Sequence, residues 1–136
     1  MITLFYAGAL TLLSIILAGL TGRRRVKTGT NLGLGEDFGM LQISRAHGNL
    51  LENAVFFLIL SFGLEMIAQI STITLMILGD IFLLSRIAHA YGITRPDAQS
   101  AFRFLGTAGN MTVLLIQSIM AIVLSVSWLA SNNWGL

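Results

Sequence analysis

No charged residue stands between Ile2 and Leu20. At about 1.5 Å per residue such a run crosses a hydrocarbon core of about 30 Å, and in lipid its backbone can be satisfied only as a helix. Residues 2–21 therefore read as a first membrane span. A cleaved signal peptide carries its basic residues ahead of the apolar stretch, whereas Arg23, Arg24, Arg25 and Lys27 follow it here. Apolar runs over 40–70, 72–92 and 102–130 supply three more spans. With 55% hydrophobic and 10% charged residues among 136, little is left for a soluble domain beside them. The expectation is an all-α membrane protein, a four-transmembrane-helix bundle in one domain over residues 1–136.

The connections are short. Residues 28–37 are polar and glycine-rich, and the second and third spans meet almost without a loop, as a tight antiparallel hairpin does. Residues 92–101 hold the only proline, Pro96, with Asp97 or Ser100 placed to cap the fourth helix. Gly33-x-Gly35 has no strand before it and no Gly-Lys-Ser/Thr after it, so a phosphate loop is set aside. With no cysteine in the chain, disulfides, thiolate metal sites and cysteine nucleophiles drop out together. In the fourth span Gly106, Ala108, Gly109, Ser118, Ala121 and Ser125 suit close helix packing, and Trp128 and Trp134 suit an interfacial belt.

Basic residues gather in the first connection and at the third, where Arg95 and Arg103 stand; the second connection has none. The positive-inside rule then puts the first and third connections in the cytoplasm and both termini outside it. The net charge of +2 is accounted for by this placement beside a lipid bilayer, and no nucleic-acid partner is expected.

The same end collects most of the remaining polar side chains. Arg45, Asn49 and Glu52 follow an i, i+4, i+7 pattern and lie on one helical stripe, with His47 on nearly the opposite side. Such a stripe in lipid should face other helices. Counted from the turn near Ser71, Glu52 and Arg86 lie at levels about 6 Å apart, and an ion pair between them is expected. His47 and His89 lack a third ligand, so no metal is expected. Glu65 and Asp80 fall in the outer half of the hairpin with no cation in that half of their spans; packing or assembly is expected of them ahead of chemistry, with sharing a proton, facing a partner chain or lining a wet cavity as the readings open to them.

The stretch Arg45-Ala46-His47-Gly48-Asn49-Leu50-Leu51-Glu52-Asn53, followed by an apolar span, resembles the Arg-Ala-x-x-Asn-x-x-Glu signature of the MAPEG family, the membrane-associated proteins in eicosanoid and glutathione metabolism. Its variant Arg-Ala-His-Gly-Asn is similar to that of bacterial members. Ser85-Arg86-Ile87-Ala88-His89-Ala90-Tyr91-Gly92 and Phe102-Arg103-Phe104-Leu105-Gly106 resemble the family in order and spacing. The resemblance implies a homotrimer in the bacterial inner membrane, with glutathione as co-substrate at the cytoplasmic side between neighbouring subunits. It implies Arg45, Asn49, Glu52 and Arg86 as glutathione contacts and Arg103 as the catalytic arginine beside the thiolate, with His47, His89 and Arg95 as further candidates. Asn53, Val55, His89 and Ile93 depart from the phenol- and proline-bearing pattern of the eicosanoid members. The implied activity is a glutathione transferase or peroxidase acting on lipophilic electrophiles or lipid hydroperoxides. The alternatives are a silent scaffold or accessory subunit on the same fold and, last, a proton-coupled transporter using Glu65 and Asp80, because the third and fourth spans offer little polar path.

The orientation is testable because the chain carries no cysteine of its own. A membrane-impermeant maleimide should label Gln69→Cys in intact cells and Asn31→Cys only after permeabilisation; the reverse pattern would invert the topology.

Overall fold

The computed structural model describes residues 1–96, 100–132 and 134. Its helices run in the order α1 (Ile2–Thr28), α2 (Phe38–Met66), α3 (Thr72–Ile93) and α4 (Ala101–Ser131), each long and apolar enough to cross a membrane. No strand occurs among the described residues.

Local chemistry sets where each helix ends. Helix α1 does not stop with its apolar run: arginine and lysine are good helix formers, and cations in the last turn complement the helix dipole. It continues through Arg25 and Lys27 and closes at Gly29, whose φ of 66° suits the left-handed cap and whose N–H reaches the Arg25 carbonyl. Asp37 then starts α2, its Oδ1 accepting from the Met40 N–H at 2.6 Å. The same carboxylate takes both arms of the Arg24 guanidinium, at 2.7 and 2.8 Å, and clamps the end of α1 to the start of α2.

Helix α2 ends at Met66, before the residue 70 to which the apolar pattern extends. The carbonyls of Gly63 and Leu64 instead accept from Ala68 and Ile70, and Gln69 takes a positive φ of 52°. Hydropathy continues through this turn, so it cannot mark the helix end. Ser100 caps α4 by accepting from the Arg103 N–H at 3.3 Å; Asp97 lies outside the described residues.

The hairpin of α2 and α3 is the frame. Helices α1 and α4 each pack on both of its members, and α1 and α4 make no contact with one another among the described residues. Its centre is a stacked pair, Phe57 on Phe82 at 4.0 Å between ring centroids. Tyr6, Leu10, Met40, Leu50 and Val113 are buried around it.

Two close approaches set the helix spacings. The Tyr6 ring lies where a side chain at Gly79 would stand, and its hydroxyl donates to the Met76 carbonyl at 2.8 Å and to Asp80 Oδ1 at 2.7 Å. Between α3 and α4, a Cβ at Gly106 would fall on the Ser85 carbonyl and 2.6 Å from the His89 nitrogen, and one at Gly109 would meet the Ser85 side chain. This seam uses Gly106 and Gly109, while Ala108 and Ser125 are exposed.

Glu65 and Asp80 are each engaged by α1. Glu65 accepts from the backbone N–H groups of Ile2 and Thr3, both at 2.8 Å, and also meets the Met1 amine. A carboxylate there satisfies donors that the first turn of a helix leaves unpaired and complements its dipole. Asp80 takes the Tyr6 hydroxyl. The two acids thus bind separate donors and share no proton with each other.

Gly106→Leu should force α4 off α3 and lower the melting temperature in detergent by roughly 10 °C. Gly63→Ala, whose new methyl meets nothing within 4 Å, should leave it nearly unchanged.

The Asp37 carboxyl is held below its usual range, chiefly by its hydrogen bond to Arg24 and further by the Met40 N–H. A carboxyl depressed in the folded state contributes stability that is full above its ordinary value near 4 and fades as pH falls through the folded value. Asp37→Asn should accordingly be less stable than the wild type at neutral pH, with the difference closing below about pH 4.

Candidate functional site

Three helices meet at Arg86. Burial of a guanidinium requires that its donors find acceptors, and here both terminal nitrogens find helix carbonyls. Nη1 donates to Asn49 O of α2 at 3.3 Å and Nη2 to Gly106 O of α4 at 3.2 Å. The side chain is 3% exposed and lies 5.9 Å from the Phe82 ring centroid.

The expected Glu52–Arg86 ion pair does not form. Glu52 is exposed on α2, and Arg86 binds carbonyls instead. The two residues match in height but not in azimuth. At about 100° per residue, Arg45 and Glu52 lie roughly 40° and 60° further round α2 than Asn49, away from α3. Asn49 is half-buried at the edge of the bundle, whereas Arg45 and Glu52 are exposed. The stripe expected to face other helices faces out of the bundle.

Arg103 stands in the first turn of α4 and is exposed. Arg86 puts Asn49 and Gly106 at one level on two helices that run the same way. From that level Arg45 lies about 6 Å and Arg103 about 4.5 Å toward the basic end. The two arginines thus occupy similar heights on neighbouring parallel helices.

The remaining candidates are placed as follows. His47 turns toward α1, with Nε2 3.0 Å from Ser14 Oγ, in the α1–α2 seam. His89 is buried in the α3–α4 seam, with Nδ1 3.0 Å from Thr107 Oγ1; Thr107 in turn donates to the Arg103 carbonyl. Arg95 is exposed and stacks over Tyr91 at 4.8 Å from the ring centroid. The Arg95 carbonyl and that of Ile93 accept from Gln42 Nε2 at 2.6 and 2.8 Å, which anchors the third connection to α2. Among the described residues no three His, Cys, Asp or Glu side chains gather as metal ligands would.

Sequence reasoning missed the polar contents of α4. Asn110 and Gln117 are fully buried. Asn110 Nδ2 donates to Asn53 Oδ1 at 2.9 Å, and Gln117 Nε2 donates to Ser61 Oγ at 2.7 Å. The i, i+4, i+7, i+11 spacing of Gly106, Asn110, Val113 and Gln117 was the signal that could have found this inward face. This face turns two amides onto α2.

None of three large cavities includes the stripe. One, of about 670 Å³, opens between the C-terminal halves of α2 and α4, lined by Leu60, Leu64, Leu124 and Trp128. Another, of about 530 Å³, lies at the basic end beside Arg24, Asp37, Phe38 and Gln42. The third, of about 540 Å³, lies beside Glu65 between α1 and α2, lined mostly by apolar side chains such as Leu4, Leu58 and Phe62. Arg45, Asn49, Glu52 and Arg103 line none of them; they form an open surface on a single copy of the chain.

A family model described as the MAPEG family matches residues 3–123, which include all the residues of this surface, and the chain belongs to that family. No curated protein matches it. Four apolar helices and this membership make it an integral membrane protein whose function lies in the general area of membrane glutathione and eicosanoid metabolism.

Proposed function

We propose that this member of the MAPEG family is a membrane glutathione transferase or peroxidase, acting on lipophilic electrophiles or lipid hydroperoxides that reach it through the bilayer. One observation carries the reading: Arg45 and Glu52 are exposed on α2, and Arg103 is exposed at a similar height on α4. Charged groups turned toward lipid are costly. Further copies of the chain would cover them, in keeping with the homotrimer, and the site between neighbouring subunits, that the family resemblance implies. The site opens toward the cytoplasm, in keeping with the basic connections.

Glutathione brings two carboxylates, an ammonium and a thiol, and the exposed groups complement them. Arg45 offers paired donors to a carboxylate, Glu52 accepts from the ammonium, and the Asn49 amide serves either. Arg103 favours the thiolate over the thiol, which raises the nucleophilic fraction at neutral pH. In conjugation a carbon–sulfur bond forms as the leaving group departs with its electron pair. In peroxide reduction two glutathione thiols become one disulfide, and the hydroperoxide becomes an alcohol and water. Arg86, the remaining expected contact, acts by holding Asn49 in place.

Purified protein in nanodiscs should conjugate glutathione to a chlorodinitrobenzene or reduce a lipid hydroperoxide, and glutathione should raise its melting temperature. Arg103→Ala should lower turnover roughly a hundredfold with the fold intact. Wild-type protein that shows neither turnover nor a glutathione-dependent thermal shift would overturn the proposal in favour of a silent scaffold.

A further inference from the structure

Four hydrogen bonds and one helical turn close a ring through α2, α3 and α4. Arg86 donates to Asn49 O at 3.3 Å and to Gly106 O at 3.2 Å. Asn53 Nδ2 donates to the same Asn49 O at 2.7 Å, and Asn110 Nδ2 donates to Asn53 Oδ1 at 2.9 Å. Asn110 lies one helical turn beyond Gly106, whose carbonyl its own N–H faces in an α-helix, so the circuit returns to Arg86. Arg86 and Asn110 are buried, and no carboxylate is bonded to Arg86 among the described residues.

Apolar side chains of similar volume would fill this space at less cost, since buried charges and amides stabilise poorly for what their desolvation costs. What such a ring supplies is register. Leucine against leucine tolerates a slide of one helix past another, whereas a directional hydrogen bond between Asn53 and Asn110 does not. The register it sets is that between α2 and α4, the two helices that carry Arg45, Asn49, Glu52 and Arg103.

We infer that Asn53 and Asn110 are positioning residues: through Arg86 and the Asn49 carbonyl they hold the α2 stripe and Arg103 at matching heights, and so set the geometry of the glutathione site. The inference rests on the proposed function for its ligand but not for its geometry. Asn53 and Asn110 touch no ligand themselves, and their effect is transmitted through the helix backbones.

The test uses the full chain in nanodiscs, with spin labels at Leu41→Cys and Phe102→Cys, exposed positions in the first turns of α2 and α4. The native chain has no cysteine to interfere, and labelled chains are diluted into excess unlabelled chain so that each distance is within one copy. Asn110→Leu should broaden or shift the label-to-label distance toward the pitch of a helical turn, about 5.4 Å. It should also weaken glutathione binding, read by titration calorimetry on unlabelled protein, about tenfold. Asn53→Ala breaks the same bond from its half-buried side and serves if Asn110→Leu does not fold; the same two changes are expected.

A variant that melts earlier while its distance distribution and glutathione affinity stay as in the wild type would show an ordinary packing role and overturn the inference. If wild-type protein binds no glutathione, the proposed function fails, and the label distances alone then decide the ring.

Discussion

A guanidinium sealed among three apolar helices constrains this structure more than any apolar contact does. Arg86 is 3% exposed; its Nε already has no hydrogen-bond partner among the described residues, and leaving the terminal nitrogens unpaired as well would cost several kcal/mol. Its terminal nitrogens therefore require a carbonyl from α2 and another from α4 at hydrogen-bonding distance. A helix carbonyl is already engaged in its own ladder, so Gly106 O presents its second lone pair to the guanidinium, while Asn49 O shares its own between the guanidinium and the Asn53 amide. The α3–α4 seam can meet this requirement because Gly106 and Gly109 have no side chain to hold Ser85 and His89 away. The glycines and the arginine are one device: the first permits the approach and the second makes separation costly.

Helix α1 is attached by a different kind of chemistry. It makes no contact with α4 among the described residues. Glu65 caps its first turn, Tyr6 reaches Asp80 across Gly79, and Arg24 meets Asp37 at its far end. Each of these attachments uses a carboxylate, whereas the α4 attachment uses amides, an arginine and backbone carbonyls. The hairpin of α2 and α3 is common to both. Changes in the α1 contacts therefore reach the candidate site only through that hairpin.

How far the sequence could be read follows from which quantities are local. The four spans were legible because lipid demands long uncharged runs, and that demand is visible residue by residue. The signature stripe was legible as a stripe because helical periodicity places Arg45, Asn49 and Glu52 on one face. The sign of that face was not, since periodicity gives angles within a helix and says nothing of where the neighbouring helices stand. The same gap produced the mistaken Glu52–Arg86 pair, in which height agreed and azimuth did not. Asn110 and Gln117 went unread because a hydropathy window averages two amides into the apolar residues around them. The partners of Glu65 went unnamed because they are backbone N–H groups of α1, which no side-chain inventory of its own span contains. The end of α2 was overrun because the turn after Met66 is as apolar as the helix.

Asn49 shows how the fixed and variable parts of the site are divided. Its carbonyl accepts from both Arg86 and Asn53 and so belongs to the scaffold. Its side chain lies at the edge of the exposed stripe, between Arg45 and Glu52. One residue thus turns its backbone inward to be held and its side chain outward to be used. Because the holding is done by a main-chain atom, any residue at that position would keep the carbonyl, and the scaffold is largely indifferent to which side chain it presents. The same holds for Arg45 and Glu52, which make no hydrogen bond within the described protomer that helix packing requires. A fold built this way can change what it binds by substitution along the stripe while Arg86, Asn53, Asn110 and Gly106 keep α2 and α4 in place. Asn53, one of the departures from the phenol pattern of the eicosanoid members, is not a change of that kind: it lies on the ring itself and takes part in two of its hydrogen bonds.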